Sequence, residues 1–552
     1  MGTVLILIKK NRTVPILYLM KNRYRLVAVI YSSPERPSTM NYDVIVIGAG
    51  FGGLTCATKL TKHGKKVLLL EKKPHIGGTS HVFFRHGYAF PMGPLGFGYP
   101  LKVREFLEDL GIKKKIDFQR SHFQLICPFF DLTCSKPFEE FKEDLKKTFP
   151  GEKKIDFFFS RFEEVIGLVK DVSAWHPDYT LGKRREKILK RADRDLQKKM
   201  KFIQMYALSP SHEFLQTHFS DDKIISLIGS LGTHPPKMSL LNMASMWNIM
   251  AFEGIWFPSC GIHGMTELLK DAFLNYGGEL RAGSLAKKIL MEKGTAKGVI
   301  VEDGQAYYAP WIVSNADYKK TFFELFDKED VPAQFLERVG KTPYTQSELC
   351  VYLGINPQKV DFSAMRASHL FYRHAYDPQR IPDLEDFDNR ELEICLWSTK
   401  VPELTPPKKA ALVLRIGFPY DRFASFRIGE KKRNRPYRRY KEALASSLVQ
   451  TAEHILPGLQ SSVEVMEIAT PLTYRDWGQR FHGSIAGWTW SPQPGQSLGG
   501  KILVVTPVLN VLMTGIYAAA ELFLGGIPTA MHTGNLAADW ILEKDGPSLS
   551  TE

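Results

Sequence analysis

DVIVIGAGFGGLTCATKLTKHGKKVLLLEKKPHIGGTS, residues Asp43–Ser80, is the stretch that decides the fold. Val44–Ile47 reads as a buried strand, after which Gly48, Gly50 and Gly53 fall in the spacing G-x-G-x-x-G. Leu54, Ala57 and Leu60 mark the apolar face of a helix, and Val67–Leu70 a second buried strand ending in Glu71. Each piece has a physical reason. Gly48 permits a tight turn, Gly50 lets the backbone approach a pyrophosphate, and Gly53 lets the helix pack on the sheet. The helix N-terminus turns its N–H groups toward the phosphates, and a carboxylate about 20 residues further on can accept both hydroxyls of a ribose. Strand, glycines, helix, strand and acid in this order predict a dinucleotide-binding βαβ unit.

The next residues choose between dinucleotides. Glu71 is followed by Lys72-Lys73-Pro74-His75-Ile76-Gly77-Gly78-Thr79-Ser80. A Gly-Gly pair this soon after the ribose-binding acid resembles the second dinucleotide motif of flavoprotein oxidases and desaturases, where the chain passes back along an extended FAD. An ordinary glycine-rich turn is the plainer reading; FAD is the expectation.

A chain of 552 residues exceeds what one hydrophobic core usually serves, so two intimately joined domains are expected. The apolar share of 44% with 24% charged residues excludes wholesale disorder. Cys56, Cys127, Cys134, Cys260, Cys350 and Cys395 are dispersed, which predicts reduced thiols in a cytoplasmic compartment and no metal site. The net charge of +14 is concentrated in two runs, Lys183–Lys201, read as a helix, and Arg427–Lys441, read as a loop because it holds Gly429 and Pro436. A solvated surface and attraction to anionic lipid headgroups both explain such runs. Nucleic acid is not expected as a partner, since neither run carries a recognition module.

Residues 1–39 alternate short apolar runs with Lys and Arg. None is long enough to span a bilayer, and no small-residue cleavage site closes them. They read as a dispensable extension, with a peripheral membrane anchor as the alternative. Phe138–Met250 is mostly helical in pattern and dense in aromatic residues, which form a helical core or line a lipophilic pocket. Gly254–Leu269 reads as a turn into a helix, Gly277–Arg281 as a strand, and Trp311–Ala316 as another buried strand. Ile502–Gly515 has a strand pattern, and a last helix is expected from about Thr529 to Leu542. Internal Pro507, Asn510 and Glu521 argue against Ile502–Ile527 as a membrane span.

With these segments located, the chain resembles the phytoene desaturase, carotenoid isomerase and retinol saturase family of flavoproteins, relatives of the amine oxidases. The resemblance covers nearly all of Asn41–Glu543. It rests on VIGAGFGGL with Glu71, Gly77–Ser80, Gly87–Phe90 followed by Gly93, FKEDLKKTFP at Phe141–Pro150, and G-x-W-x-P at Gly254–Pro258. GGEL at Gly277–Leu280, VSNAD at Val313–Asp317, TPLTYRDWGQRFHGSIAG at Thr470–Gly487 and the stretch around Gly515, Pro528 and Gly534 complete it.

The resemblance implies an α/β fold: a Rossmann-like FAD-binding domain of discontinuous segments (41–110, 251–325 and 466–545) with an α+β substrate domain (111–250 and 326–465) inserted, after an extension over 1–40. It implies that Gly48, Gly50, Phe51 and Gly53 touch the pyrophosphate, Glu71 the adenosine ribose, Ala286 the adenine, and Gly515 the second phosphate or ribitol. Gly78 and Thr79 belong to the second dinucleotide motif, and Ile527 and Pro528 approach the pyrimidine edge of the flavin. A helix starting near Thr529 would direct N–H groups and its positive end at that edge. The implied activity is FAD-dependent oxidoreduction at carbon–carbon bonds of a long isoprenoid, in the desaturating, saturating or isomerising sense, at a peripheral membrane site. A flavin amine oxidase and a non-catalytic flavoprotein are the alternatives. Pro91, Leu95 and Ile516 replace an Asp, a His and an acidic residue that many relatives carry, which bears on the substrate more than on FAD. His263, Trp256 and Tyr88 lie in motifs expected near the flavin, but no side chain is singled out as catalytic.

Overall fold

Val44-Ile45-Val46-Ile47 forms a strand with every side chain buried, as a strand covered on both faces requires. In the computed structural model it lies at the centre of a five-stranded sheet in the order Glu279–Ala282, Val67–Glu71, Val44–Ile47, Trp311–Ser314, Val511–Met513. All four pairings are parallel. Three distant parts of the chain therefore supply adjacent strands. The helix Phe51–Lys62 packs against Gly261–Asn275 and against the C-terminal helix Gly526–Asp545. A three-stranded antiparallel sheet, Ala286–Glu292, Thr295–Val301 and Ala306–Tyr308, follows the edge strand of the parallel sheet in sequence.

The structure describes residues 42–134, 138–175, 209–230, 239–377, 382–485, 487–488, 504–518 and 526–545, with a few isolated positions besides. Met1–Asn41 forms a unit of its own, in which Lys21–Asn22 pairs antiparallel with Arg25–Leu26; the rest of the expected extension lies outside the described residues, as does most of the basic run Lys183–Lys201.

A second, seven-stranded sheet runs in the order Val463–Ala469, Glu348–Ile355, Ala410–Gly417, Leu392–Leu396, His369–Tyr372, Phe123–Cys127, Phe130–Cys134. Its one parallel pairing sets Phe123–Cys127 beside His369–Tyr372, so two separate stretches of chain that run between parallel-sheet strands meet in one sheet. Phe158, Phe159 and Phe162 of the helix Ile155–Trp175 are fully buried and pack with Phe141 and Trp247. A helical core thus accounts for these aromatic residues.

Several local expectations are corrected. Arg427–Lys441 is not a loop: Arg427–Gly429 and Lys432–Arg433 form a hairpin, and Pro436 opens the helix Pro436–Glu453. A proline at the first helical position loses only an N–H that has no intrahelical partner, so Pro436 starts a helix here. The C-terminal helix begins at Gly526, which puts Ile527 and Pro528 inside its first turn. Within Ile502–Gly515, of which residues 504 onward are described, only Val511–Met513 is strand; Thr506 Oγ1 donates to the carbonyls of Val508 and Val511 and turns the chain around Pro507. Ile255–Pro258, expected as a turn, is a strand paired with Phe118–Ser121. Among the described residues no helix is long and apolar enough to cross a membrane, and no cluster of His, Cys, Asp or Glu could hold a metal ion.

Candidate functional site

The carboxyl ends of the parallel strands open into a cleft of about 440 Å³. Its wall begins with the glycine loop. Gly53 is where the loop and its helix touch: a Cβ placed there would lie 2.0 Å from the Gly48 carbonyl oxygen. Gly52 meets the C-terminal segment in the same way, since a Cβ on it would sit 2.6 Å from the Gly515 nitrogen. No side chain caps the helix at Gly50, and its first turn carries no acid. The first-turn N–H groups are therefore left to an anionic ligand.

Glu71 lies at the end of its strand, 3% exposed. Its Oε2 accepts from the Ala49 N–H at 2.8 Å and its Oε1 from the Lys73 N–H at 2.9 Å. The backbone of Ser284 donates to the Glu71 carbonyl and that of Gly283 to the Lys73 carbonyl, which brings Leu285 and Ala286 to the cleft beside it. The Gly-Gly turn is explained by conformation: Gly77 and Gly78 have φ of +90° and +61°, a region costly for other residues. The Gly77 N–H donates to the Ala49 carbonyl at 2.7 Å, docking the second motif onto the first.

Four cations surround this end. Lys72 Nζ donates to the Gly478 carbonyl, Lys320 Nζ to Gln479 Oε1, and Arg480 Nη2 to Thr79 Oγ1, with Lys73 adjacent. Burial, with Lys73 adding to it, pushes Lys72 down to about 7 against the pull of Glu71. A buried ammonium with a depressed pKa gains when an anion arrives beside it.

Of the residues expected to hold a cofactor, Gly48, Gly50, Phe51, Glu71, Gly78, Thr79, Ala286, Gly515 and Ile527 line this one cleft. Gly53 and Pro528 do not; Gly53 packs the helix on the loop, and Pro528 lies in the first helical turn between the lining residues Ile527 and Thr529. His263, Trp256 and Tyr88 are also off the wall: His263 faces His81, Trp256 Nε1 donates to the Glu253 carbonyl, and the Tyr88 hydroxyl to Glu464. Ile516 lines the cleft, while Leu95 is buried behind Met92, Gly93 and Pro94, which line it.

Sequence reasoning missed Asn315, Asp317 and Arg480. Asn315 Nδ2 donates to the Gly48 carbonyl and its Oδ1 accepts from Thr514, so one amide ties all three chain segments. Asp317 accepts from the Lys320 and Phe481 N–H groups and from the Tyr344 hydroxyl, and burial still holds its carboxyl above the usual range. The signal was present in VSNAD: a polar pair directly after a buried strand sits at the carboxyl end of that strand, where ligands bind in parallel sheets. Glu348, Arg415 and Tyr474 line the cleft from the region of the seven-stranded sheet.

The donor set fits a dinucleotide. A pyrophosphate suits an uncapped helix start in a cleft lined by lysines and an arginine, and a ribose suits a buried carboxylate; a Cβ at Gly50 would stand 2.8 Å from Asn315 Nδ2.

Comparison with known proteins agrees with this geometry. The model of the NAD(P)-binding Rossmann-like domain matches residues 46–110. Prolycopene isomerase of Daucus carota is 27% identical over 92% of this chain and 82% of its own length. All-trans-retinol 13,14-reductase of Danio rerio is 24% identical over 92% of this chain and 88% of its own. Among solved structures, cyclohexylamine oxidase from Brevibacterium oxydans superposes with a TM-score of 0.57 at 17% identity, over 91% of this chain and 99% of that one. The family resemblance read from the motifs, and the α/β Rossmann-like class, are borne out.

Proposed function

We propose that this chain, a homologue of the prolycopene isomerases and retinol 13,14-reductases over nine tenths of its length, is an FAD-dependent oxidoreductase acting on carbon–carbon bonds of a long isoprenoid or carotenoid-like substrate. The observation that carries the cofactor is the convergence in one cleft of the glycine loop, Glu71, the Gly77–Gly78 turn and Gly515. The relatives' names carry the substrate class and weight the direction toward isomerisation or saturation over desaturation.

Gly48, Gly50 and Phe51 hold the pyrophosphate against the helix start, Lys72, Lys320 and Arg480 supply positive charge, and Glu71 takes the ribose. Ala286 meets adenine through its backbone, and Gly515 and Ile527 face the ribitol and the flavin. FAD held by these residues would supply hydride chemistry; the protein aligns the substrate carbon in the cleft and excludes water.

Contact with anionic lipid is part of this reading. The hairpin Arg427–Arg433 exposes Ile428 to 66%, and Lys431 Nζ lies over the ring of Trp477, itself 57% exposed. Exposed apolar side chains beside basic ones suit a headgroup surface.

The deciding experiment expresses the chain in cells that accumulate phytoene, lycopene or other prenyl lipids and examines the extracts by absorption and mass. A two-hydrogen change gives the direction, and an altered spectrum at constant mass indicates isomerisation. FAD-loaded protein that changes none of them, but is rapidly reduced by an amine, would replace this reading with amine oxidation.

A further inference from the structure

A chain of buried charges ends on the cleft wall. The Tyr474 hydroxyl donates to Glu348 Oε1 at 2.5 Å. Glu348 Oε2 lies 3.4 Å from Arg415 Nε, which lies 3.1 Å from Glu393 Oε2, and Glu393 Oε1 is 2.7 Å from His369 Nε2. Arg415 Nη1 also donates to the carbonyl of Gly93, on the same wall. Strand register builds this cluster: Cys350 and Glu393 are both paired opposite Arg415, and His369 opposite Cys395. Glu348 and Tyr474 are 5% and 7% exposed.

We infer that Tyr474 and Glu348 are the proton-handling pair of the carbon–carbon reaction, with Arg415, Glu393 and His369 positioning them. This rests on the reading above that a polyene or prenyl chain reacts in this cleft. Whenever a hydride leaves or joins one carbon, a proton must leave or join its neighbour. The other acids and the other tyrosine of the wall are engaged elsewhere. Glu71 accepts two backbone N–H groups at the ribose end, Asp317 accepts three donors, Glu324 pairs with Lys320, and the Tyr517 hydroxyl bonds Ser484.

The proton balance is simple. In the desaturating direction a substrate C–H bond breaks, its proton joins Tyr474 Oη, and the proton already on Tyr474 passes to Glu348 Oε1. The C–H electron pair becomes the new π bond as the neighbouring carbon gives its hydride to the flavin. Saturation runs the same atoms backward. Tyr474 is neutral before and after, so a phenol held well above its ordinary range by burial and by Glu348 is no obstacle. The second carboxylate has a purpose here: when Glu348 is protonated, Arg415 is still paired with Glu393, and no charge is stranded in the interior. Although burial opposes it, Arg415 and His369 hold Glu393 at about 2, so it remains ionised throughout.

The test compares FAD-loaded wild type with Tyr474→Phe and Glu348→Gln, using phytoene, lycopene and retinol in micelles. Each variant should bind FAD and polyene within about twofold of wild type while kcat falls ~100-fold or more, the range of a lost acid–base group. Wild type mixed with substrate should also show a carboxyl C=O band in the infrared difference spectrum, gained in the desaturating direction and lost in the saturating one, and absent from Glu348→Gln. A variant that keeps its kcat, or one whose loss of kcat follows lost FAD binding, overturns the inference. If neither variant folds, the wild-type infrared band decides, and its absence overturns it. Wild type that binds no FAD or converts no probe overturns the functional reading itself, and this inference with it.

Discussion

Gly53→Ala and Gly50→Ala, only three residues apart, should separate fold from cofactor. At Gly53 the added methyl would stand 2.0 Å from the Gly48 carbonyl oxygen, about 1 Å inside the 3.0 Å that real Cβ contacts respect. Neither side can yield. The Gly48 N–H is bonded to the Leu70 carbonyl at 2.7 Å and its oxygen accepts from Asn315, while on the helix a Cβ at Gly534 would already be 2.4 Å from the Gly52 oxygen. Overpacking costs ~1–3 kcal/mol, and contact between fixed backbones belongs at the upper end. With an unfolding entropy of about 2.1 cal/mol/K per residue over a chain of this size, ~3 kcal/mol lowers Tm by roughly 3 °C. At Gly50 the backbone is extended and the nearest atom is Asn315 Nδ2 at 2.8 Å, the tip of a side chain that can turn away. That costs about one hydrogen bond, ~1 kcal/mol. The Gly50 methyl instead intrudes on the backbone surface offered to the pyrophosphate, so FAD should bind tenfold or more weakly, ~1.4 kcal/mol. Thermal unfolding of the FAD-free variants and fluorescence titration with FAD read the two effects. The reasoning is refuted if FAD-free Gly53→Ala melts with the parent, or if Gly50→Ala destabilises the FAD-free chain as much as Gly53→Ala does.

Lys72→Met should stabilise the FAD-free protein and weaken FAD. The unfolded lysine takes its proton as pH falls through about 10.5, whereas burial delays the folded one to about 7; the gain should therefore grow as pH falls between those values and then level off, as thermal melts at several pH values would show. Asp476 is 2% exposed at its side chain and meets Arg433 at 2.7 Å and Arg427 at 3.0 Å. Asp476→Asn leaves the guanidinium groups uncompensated and should cost about 3 kcal/mol in urea unfolding at neutral pH. Burial opposes ionisation there, but Arg433 and Arg427 hold the carboxyl below its usual value. Its contribution is present above pH 3.8 and lost as pH falls through the lowered value, so the variant and the parent should converge in acid. Ile428→Ser with Trp477→Ala should reduce flotation with anionic vesicles at low salt and leave FAD binding unchanged; equal flotation of variant and parent would remove this surface from the membrane reading.

The parts of the site nearest the start were legible because they are local. Glycine spacing, apolar runs and the strand-terminal Glu71 are set by contacts a few residues apart, so Gly48, Gly50 and Glu71 could be named from spacing, and Phe51 and Gly78 from the family resemblance; all five line one cleft. Pro436 was misread because a proline that breaks a helix interior and one that opens a helix look alike in one dimension; only the hairpin folding back onto Asp476 distinguishes them.

The rest required three dimensions. Asn315 ties loops that are 267 and 199 residues away in sequence, and Arg415 gathers its carboxylates from two neighbouring strands. The linear order of residues thus determined which cofactor class the chain could hold, because phosphate and ribose recognition is written in short-range backbone geometry. Which charged groups of the seven-stranded sheet gather beside the cleft was decided by strand register, where a single residue of slip would turn Glu348, Glu393 and Arg415 to the other side of the sheet.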